Sequence, residues 1–142
     1  MIKAACHCTE VRLELDDAPT WVLDCNCTIC RRYGALWTYP AAGKARVVRG
    51  EGATDSYVWN DKMIAFHRCK TCGCILYMRA LDTDPPQIYG VNARMIPTLD
   101  PAKVEIRQID NGHTGFFWTR SSNPPRASHH PKMPPPGPDD WR

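Results

Sequence analysis

The sequence predicts an all-β fold, and three observations support that prediction. From residue 2 to about 118, short apolar runs are separated by turn residues at intervals of about ten residues, the spacing of strands in all-β domains. The runs are rich in β-branched and aromatic residues, which fit a pleated surface. Only one short segment has a helical pattern. The 142 residues suit one domain, and we expect it to span residues 1–120.

The predicted strands follow one another along this domain. Residues 11–15 (VRLEL) alternate apolar and charged side chains, as a half-exposed strand does. The residues that follow, 16–19 (DDAP), should end that strand. The other predicted strands span 20–25, 35–40, 45–50, 55–60, 63–68, 75–79, 87–93 and 104–109.

The helical segment is 28–34, TICRRYG. Arg31 and Arg32 would lie near its C-terminal end, where cations are favoured. Gly34 can adopt the left-handed conformation that often ends a helix. We therefore expect a single helical turn here.

The C-terminal segment 121–142 differs in composition from the rest of the chain. It holds seven of the thirteen prolines in 22 residues. Such a segment has no core to bury and favours an extended polyproline backbone. We expect it to lie across its own domain or a second subunit, with Trp141 as an anchor, so that a homodimer could use this tail.

Charge and hydropathy exclude some classes of partner. The formal charge is +3, but basic and acidic residues are interspersed, so the basic stripe of a nucleic-acid-binding protein is missing. No apolar run approaches the roughly 18 residues needed to span a membrane. The first residues, MIKAACHCTE, lack the apolar segment of a signal peptide. We expect a cytoplasmic protein with neither nucleic-acid nor membrane partners.

Eight cysteines dominate the chemistry of the chain, in the groups Cys6/Cys8, Cys25/Cys27/Cys30 and Cys69/Cys72/Cys74. In a reducing compartment, such cysteines are more often metal ligands than disulfide partners. If Cys6 and Cys8 lie in a strand, their side chains point to the same face and can meet one ion. The sequence CKTCG at 69–73 can form a tight knuckle with Gly73.

The spacing allows two divisions of the cysteines. Closed structural zinc sites have four protein ligands, whereas catalytic sites leave one position open. Cys6 and Cys8 could join Cys69 and Cys72, leaving a second site of three cysteines. Alternatively, Cys27 and Cys30 could join Cys69 and Cys72 in a zinc ribbon. Spacing alone leaves both open.

The motifs CHCTEVRLEL, CNCTICRRYGALWTYP, HRCKTCGCILYMR and YGVNARMI occur in this order over about residues 4–110. In these four motifs and in their order, the chain resembles the glutathione-dependent formaldehyde-activating enzyme family, which includes centromere protein V. The resemblance implies a single β-tent domain of short antiparallel strands with two zinc ions. It assigns Cys6, Cys8, Cys69 and Cys72 to a structural zinc, and Cys25, Cys27 and Cys30 to a functional zinc.

Two positions depart from the family's pattern. Thr9 stands where the family usually has glycine, so the turn there is less certain. Cys74 replaces a residue that is often Ser, Thr or Val. We expect Cys74 to be a small buried thiol rather than a redox partner or a fourth ligand.

Around the three cysteines, four residues are candidates for substrate binding: Arg31, Arg32, Trp37 and Asn92. The arginines could grip a carboxylate, or could simply be solvated. Trp37 and Tyr39 share one face of a strand and could line a pocket, although core packing is the commoner role. His67 is a weaker candidate for a base or ligand, because a single histidine is more often packed.

Two classes of function follow from the resemblance. In the first, the protein is a carbon–sulfur lyase acting on an adduct of glutathione, or a similar thiol, with formaldehyde or another small aldehyde. In the second, it is a non-catalytic zinc module that binds glutathione or a protein partner. The second stays open because thiols add to formaldehyde readily without a catalyst, and the sequence shows no evident acid–base pair.

Overall fold

A computed structural model of the protein describes residues 1–58, 62–100 and 102–111, together with the backbone of a strand at Phe117–Thr119. Its strands are β1 (Ile2–Ala5), β2 (Arg12–Leu15), β3 (Trp21–Cys25), β4 (Leu36–Thr38), β5 (Ala45–Arg49), β6 (Thr54–Val58), β7 (Ile64–Cys69), β8 (Ile75–Ala80), β9 (Gln87–Asn92), β10 (Glu105–Ile109) and β11 (Phe117–Thr119). One α-helical turn, α1, spans Cys30–Tyr33 within the described residues. The all-β prediction is confirmed. The predicted tail, 121–142 with Trp141, lies outside the described residues.

The strands form two sheets. The smaller has the order β1-β2-β5, and the larger has the order β11-β10-β3-β4-β9-β8-β7-β6. All pairings between described strands are antiparallel except that of β3 with β10, which is parallel. The expectation of antiparallel strands is therefore corrected at this one pair.

Every predicted strand is present, with bounds shifted by one or two residues at most of the ends that the structure describes. Residues 59–60 of the predicted strand 55–60 lie outside the described residues. Two strands were not predicted, β1 and β11. The β1 sequence IKAA has little intrinsic β propensity, but pairing with β2 places Ala4 opposite Leu13 and buries it. Tertiary packing overrides the local preference here. No helix in the described part of the chain is long and apolar enough to span a membrane.

The larger sheet carries an apolar cluster on each face. Successive residues of a strand point to opposite sides, so Val22 and Leu23 belong to different clusters. The first cluster includes Val22 and fills the space between the two sheets. The second includes Leu23 and Trp37 and packs against α1. This second face supports the segment of the chain that carries three of the cysteines.

Candidate metal centres

Four cysteines from distant parts of the chain meet at the first centre. The sulfur atoms of Cys6, Cys8, Cys69 and Cys72 all lie within 4.8 Å of one another. The Cys6 and Cys8 sulfurs are 3.5 Å apart, and those of Cys8 and Cys69 are 3.6 Å apart. This group joins the turn after β1 to the turn between β7 and β8.

The first pair of these cysteines lies in a turn after β1, not in a strand. The prediction that Cys6 and Cys8 point to the same face because they lie in a strand is therefore wrong. The backbone N–H of Thr9 donates to the carbonyl of Cys6 over 2.9 Å, which folds the chain back on itself. Thr9 has φ of 61°, a left-handed conformation that is unfavourable for a β-branched residue. The turn thus forms although the expected glycine is missing.

The second pair lies in the knuckle that the sequence predicted. The N–H of Gly73 donates to the carbonyl of Cys69 over 2.9 Å, and Gly73 has φ of 74°. The backbone N–H groups of Cys8 and Cys74 hydrogen-bond to the Cys72 sulfur and hold the pKa of that thiol below its usual value. Because these donors favour the thiolate, the knuckle suits a cation.

Three further cysteines form the second centre. The sulfurs of Cys25, at the end of β3, Cys27, in the following turn, and Cys30, the first residue of α1, lie within 4.8 Å of one another. Within the described ranges no fourth His, Cys, Asp or Glu completes this group. The structure thus brings together a group of four and a group of three, either of which could hold a metal ion.

Each sulfur of this three-cysteine group accepts a hydrogen bond from an N–H donor. The N–H of Cys27 donates to Cys25 Sγ over 3.5 Å, and that of Cys30 donates to Cys27 Sγ over 3.5 Å. The indole Nε1 of Trp37 donates to Cys30 Sγ over 3.3 Å. Such donors favour thiolates without adding a formal positive charge.

The thiols of the three-cysteine group also polarise one another. Hydrogen bonds from Cys25 and Cys30 hold the pKa of Cys27 well below its usual value. The same network raises the pKa of Cys30, through its bonds to Cys25 and then Cys27. Cys27 is half-buried between the buried Cys25 and Cys30. A cation bound here would replace the shared protons.

The end of β10 contacts this group, a feature that the sequence did not reveal. The N–H of Asn26 donates to the carbonyl of Ile109 over 3.3 Å, and its side-chain Nδ2 donates to Asp110 Oδ1 over 2.5 Å. Asn111 Nδ2 lies 3.7 Å from Cys25 Sγ. Asn26 and Asp110 are 84 residues apart in the chain, and only the parallel pairing of β3 with β10 brings them together.

Two of the candidate substrate-binding residues are buried. Trp37 has no exposed surface, and its indole contacts a cysteine rather than an open pocket. Asn92 is 2% exposed. Its Oδ1 accepts from the backbone N–H groups of Leu36 and Arg94, and its Nδ2 donates to the carbonyl of Ile75. The polar groups of the Asn92 side chain therefore bind backbone, and we leave it out of the substrate-binding set below.

The two arginines of α1 have different surroundings. Arg32 Nη1 donates to the carbonyl of Thr28 over 2.6 Å and so closes the helical turn. Arg31 is exposed, and its side chain forms no hydrogen bond or ion pair with the residues that the structure describes. Gly34 ends the turn in the left-handed conformation, with φ of 60°, as predicted. Of the two arginines, Arg31 has the guanidinium free for a ligand.

His67 and Cys74 lie outside both groups of cysteines. The His67 ring stacks on Tyr77, with centroids 4.5 Å apart, and its Nδ1 lies 3.1 Å from Thr54 Oγ1. Burial, and then the nearby Arg79, lower the pKa of His67 to about 4. Cys74 is half-buried against the core between the sheets. His67 therefore packs in the fold instead of approaching the three cysteines.

Comparisons with known proteins agree with the fold and with the family resemblance. A solved structure of a Rhodobacter sphaeroides protein is similar, with 28% sequence identity and a TM-score of 0.62, covering 71% of this chain and 93% of that chain. The family model described as glutathione-dependent formaldehyde-activating enzyme matches residues 1–109. The chain therefore belongs to the glutathione-dependent formaldehyde-activating enzyme family.

Proposed function

We propose that the protein is a zinc-dependent carbon–sulfur lyase acting on an adduct of glutathione, or a similar thiol, with formaldehyde or another small aldehyde. The observation that carries the proposal is the unequal division of the sulfurs. One group has the four donors of a closed site, and the other has only three. Membership of the family supports the substrate class.

The donor geometry of the four-cysteine group fits zinc. Tetrahedral zinc with Zn–S bonds of about 2.3 Å needs sulfurs about 3.8 Å apart. The Cys8 sulfur lies 3.5 Å from that of Cys6 and 3.6 Å from that of Cys69, close to that value. We assign Cys6, Cys8, Cys69 and Cys72 to a structural zinc. Because this site joins the turn after β1 to the knuckle after β7, its binding free energy would contribute to folding.

The three-cysteine group fits a zinc site with one open position. Three sulfur donors with no fourth protein ligand are the arrangement that leaves room for an exogenous ligand. We assign Cys25, Cys27 and Cys30 to this functional zinc, so that two zinc ions are expected per chain. The N–H donors on all three sulfurs reduce the charge that the thiolates donate to the ion.

Zinc at this position would hold the sulfur of an incoming thiol as a thiolate at neutral pH. In the addition direction, the thiol sulfur would form a bond to the aldehyde carbon, and the carbonyl oxygen would take up the proton that the thiol loses, giving a hemithioacetal. In the lyase direction the carbon–sulfur bond breaks and the hydroxyl proton leaves. No His, Asp or Glu joins the three-cysteine group in the described ranges to act as a general acid or base. We therefore assign the protein residues the role of positioning the reactants.

Arg31 is the residue that we propose for substrate binding. It follows Cys30 directly, and its guanidinium is exposed. A planar guanidinium binds carboxylates through two parallel hydrogen bonds, and glutathione has two carboxylates. Arg31→Lys should therefore raise KM for glutathione, while Arg32→Lys should disturb mainly the helical turn that Arg32 closes.

The test is the rate at which the hemithioacetal forms and breaks down, measured by NMR exchange with and without the zinc-loaded protein. The proposal expects rates above the uncatalysed background in the wild type. It expects background rates in a folded Cys27→Ser variant. Background rates in the wild type, with two zinc ions bound, would contradict the lyase function.

A second candidate function is a non-catalytic zinc module that binds glutathione or a protein partner. The observation that favours it is the lack of an acid–base side chain in the three-cysteine group among the described residues. In that case glutathione should bind to the wild type and not to Cys27→Ser, by isothermal titration calorimetry, while the exchange rates stay at background.

A further inference from the structure

We infer that Asp110 and Asn26 form a clasp that positions the Cys25–Cys27 loop for metal binding, with Asp110 as the positioning residue. The inference rests on the proposed function to the extent that the three cysteines must hold a metal ion. It assigns a role to two residues that contribute no ligand themselves.

Three consecutive residues at the end of β10 contact the loop, each in a different way. The carbonyl of Ile109 accepts from the backbone N–H of Asn26, and the carboxylate of Asp110 accepts from its side-chain Nδ2. The amide of Asn111 lies over the Cys25 sulfur at 3.7 Å. Asn26 is thus held by its backbone and its side chain at the point where the chain leaves β3.

The burial of Asp110 strengthens its hydrogen bond with the Asn26 side chain. Asp110 has no exposed surface, whereas Asn26 is exposed. A buried carboxylate is costly unless its oxygens accept hydrogen bonds, so releasing Asn26 would leave Asp110 less well satisfied. Hydrogen bonds to a charged group are also stronger than neutral ones. The carboxylate therefore adds a side-chain restraint to an exposed residue whose backbone N–H already binds Ile109.

The restraint acts on the geometry of the cysteines, because Asn26 is the single residue between Cys25 and Cys27. Fixing its backbone fixes the direction in which the chain turns toward α1 and Cys30. A site with three protein ligands forms fewer bonds than a closed site, so loss of preorganisation should weaken it more. Partners that orient metal ligands typically contribute 10- to 100-fold in metal affinity.

The chain offers a matched control two residues earlier on the same two strands. Gln108 Nε2 donates to Asp24 Oδ2 over 3.3 Å, again an amide–carboxylate bond between residues 84 apart. Unlike Asn26, neither Asp24 nor Gln108 lies between two cysteines in the sequence. Gln108→Ala should therefore alter the β3–β10 pairing slightly and leave the metal site unchanged.

The experiment measures the release of zinc from the purified zinc-loaded protein to the chromophoric chelator 4-(2-pyridylazo)resorcinol. The wild type should lose the three-cysteine zinc in a fast phase and the four-cysteine zinc in a slow phase. Asp110→Ala should speed up the fast phase about 10- to 100-fold and leave the slow phase unchanged. Asn26→Ala should speed up the fast phase to a similar extent. Because Asn26 is exposed, this variant should fold even if Asp110→Ala does not.

A swap of the two groups distinguishes positioning from a general loss of stability. Asp110→Asn keeps a carbonyl acceptor for Asn26, so its fast phase should stay within a few-fold of the wild type. Asn26→Asp places two carboxylates face to face and should release zinc rapidly. Adding Asp110→Asn to Asn26→Asp restores an amide–carboxylate bond and should slow the release again.

Two results would overturn the inference. One is a fast phase that does not change in Asp110→Ala or in Asn26→Ala, and the other is a double variant that releases zinc as rapidly as Asn26→Asp. Either of these would leave the proposed function standing, provided that the wild type shows two phases. A wild type that binds a single zinc ion would contradict the clasp and the proposed functional site together.

Discussion

The indole nitrogen of Trp37 donates a hydrogen bond to the sulfur of Cys30 over 3.3 Å. Trp37 is fully buried, and its ring lies 6.1 Å from that of Phe66, centroid to centroid. Cys25 and Cys30 themselves belong to the apolar cluster on this face of the larger sheet, and Trp37 adds a polar contact from that cluster to a cysteine sulfur. Trp37 had been a candidate to line a substrate pocket, but its contacts connect a candidate ligand to the core.

Replacing Trp37 with phenylalanine should weaken zinc binding at the three cysteines. The substitution removes the N–H donor of Cys30 and leaves a small cavity, which should cost about 1 to 3 kcal/mol of unfolding free energy. We expect zinc release from this site to become about 10-fold faster. Chelator kinetics and urea unfolding measure the two effects.

Trp21→Phe is the matched control. Trp21 lies on the same face of the sheet, where it stacks on Tyr39 and contacts the guanidinium of Arg107. Among the described residues, Trp21 packs against the same apolar cluster but forms no hydrogen bond to a cysteine sulfur. Equal acceleration of zinc release in the two variants would show that the Trp37 hydrogen bond has no specific effect.

Thr9→Gly should stabilise the protein. A non-glycine residue with positive φ costs about 1 to 3 kcal/mol, and Thr9 has φ of 61°. Glycine removes that strain but makes the unfolded chain more flexible, which offsets about 0.5 to 1 kcal/mol. We expect a net gain of about 1 kcal/mol in the urea unfolding of the zinc-loaded protein. Thr9→Ala keeps a Cβ atom and should give no such gain, so equal stability of the two variants would contradict the strain argument.

His67 should make the stability depend on pH. Its pKa falls from 6.5 to about 4 on folding, because of burial and then Arg79. The neutral ring is favoured in the folded state, so between these pH values the unfolded chain binds the proton first. The contribution of His67 to the free energy of unfolding is therefore fully present above pH 6.5, and it is lost as the pH falls toward 4. From pH 7.5 to 5 we expect a loss of about 1 to 2 kcal/mol from this group.

The variant His67→Phe isolates that contribution. Phenylalanine keeps a ring to stack on Tyr77 but does not titrate. All eight cysteines are unchanged in this variant, so acid-induced loss of metal should affect both proteins alike. The difference between their urea midpoints should shrink or reverse as the pH falls, and a difference that does not vary with pH would contradict the neutral, buried histidine.

Features that depend on local pattern could be predicted from the sequence. Periodicity predicts the strand β2, and a composition rich in β-branched residues predicts β5 and β10. The turn at α1 follows from its arginines and Gly34, and the knuckle at Cys69–Cys72 follows from its spacing and Gly73. Spacing alone left two divisions of the cysteines open, and the resemblance to a family favoured the one whose sulfurs the structure groups together.

Features that depend on contacts between distant segments could not be predicted. The parallel pairing of β3 with β10 has no local signal, and Asn26 and Asp110 meet only because of it. The burial of β1 against β2 overrides a sequence of low β propensity. Cys6 and Cys8 converge through a strained turn at Thr9, whereas their spacing suggested a strand. Burial of Trp37 and Asn92 likewise follows from how the sheets pack.

The measurement that tests the central claim most directly is the number of zinc ions per chain, by native mass spectrometry, in the wild type, Cys27→Ser and Cys72→Ser. Structural zinc contributes about 10 to 16 kcal/mol of apparent binding free energy, comparable to or larger than the about 5 to 15 kcal/mol of a domain's stability. We predict two zinc ions in the wild type, a folded Cys27→Ser with one, and an unfolded Cys72→Ser. A single zinc in the wild type, or a Cys27→Ser that unfolds while Cys72→Ser stays folded, would contradict the division into a structural group of four and a functional group of three.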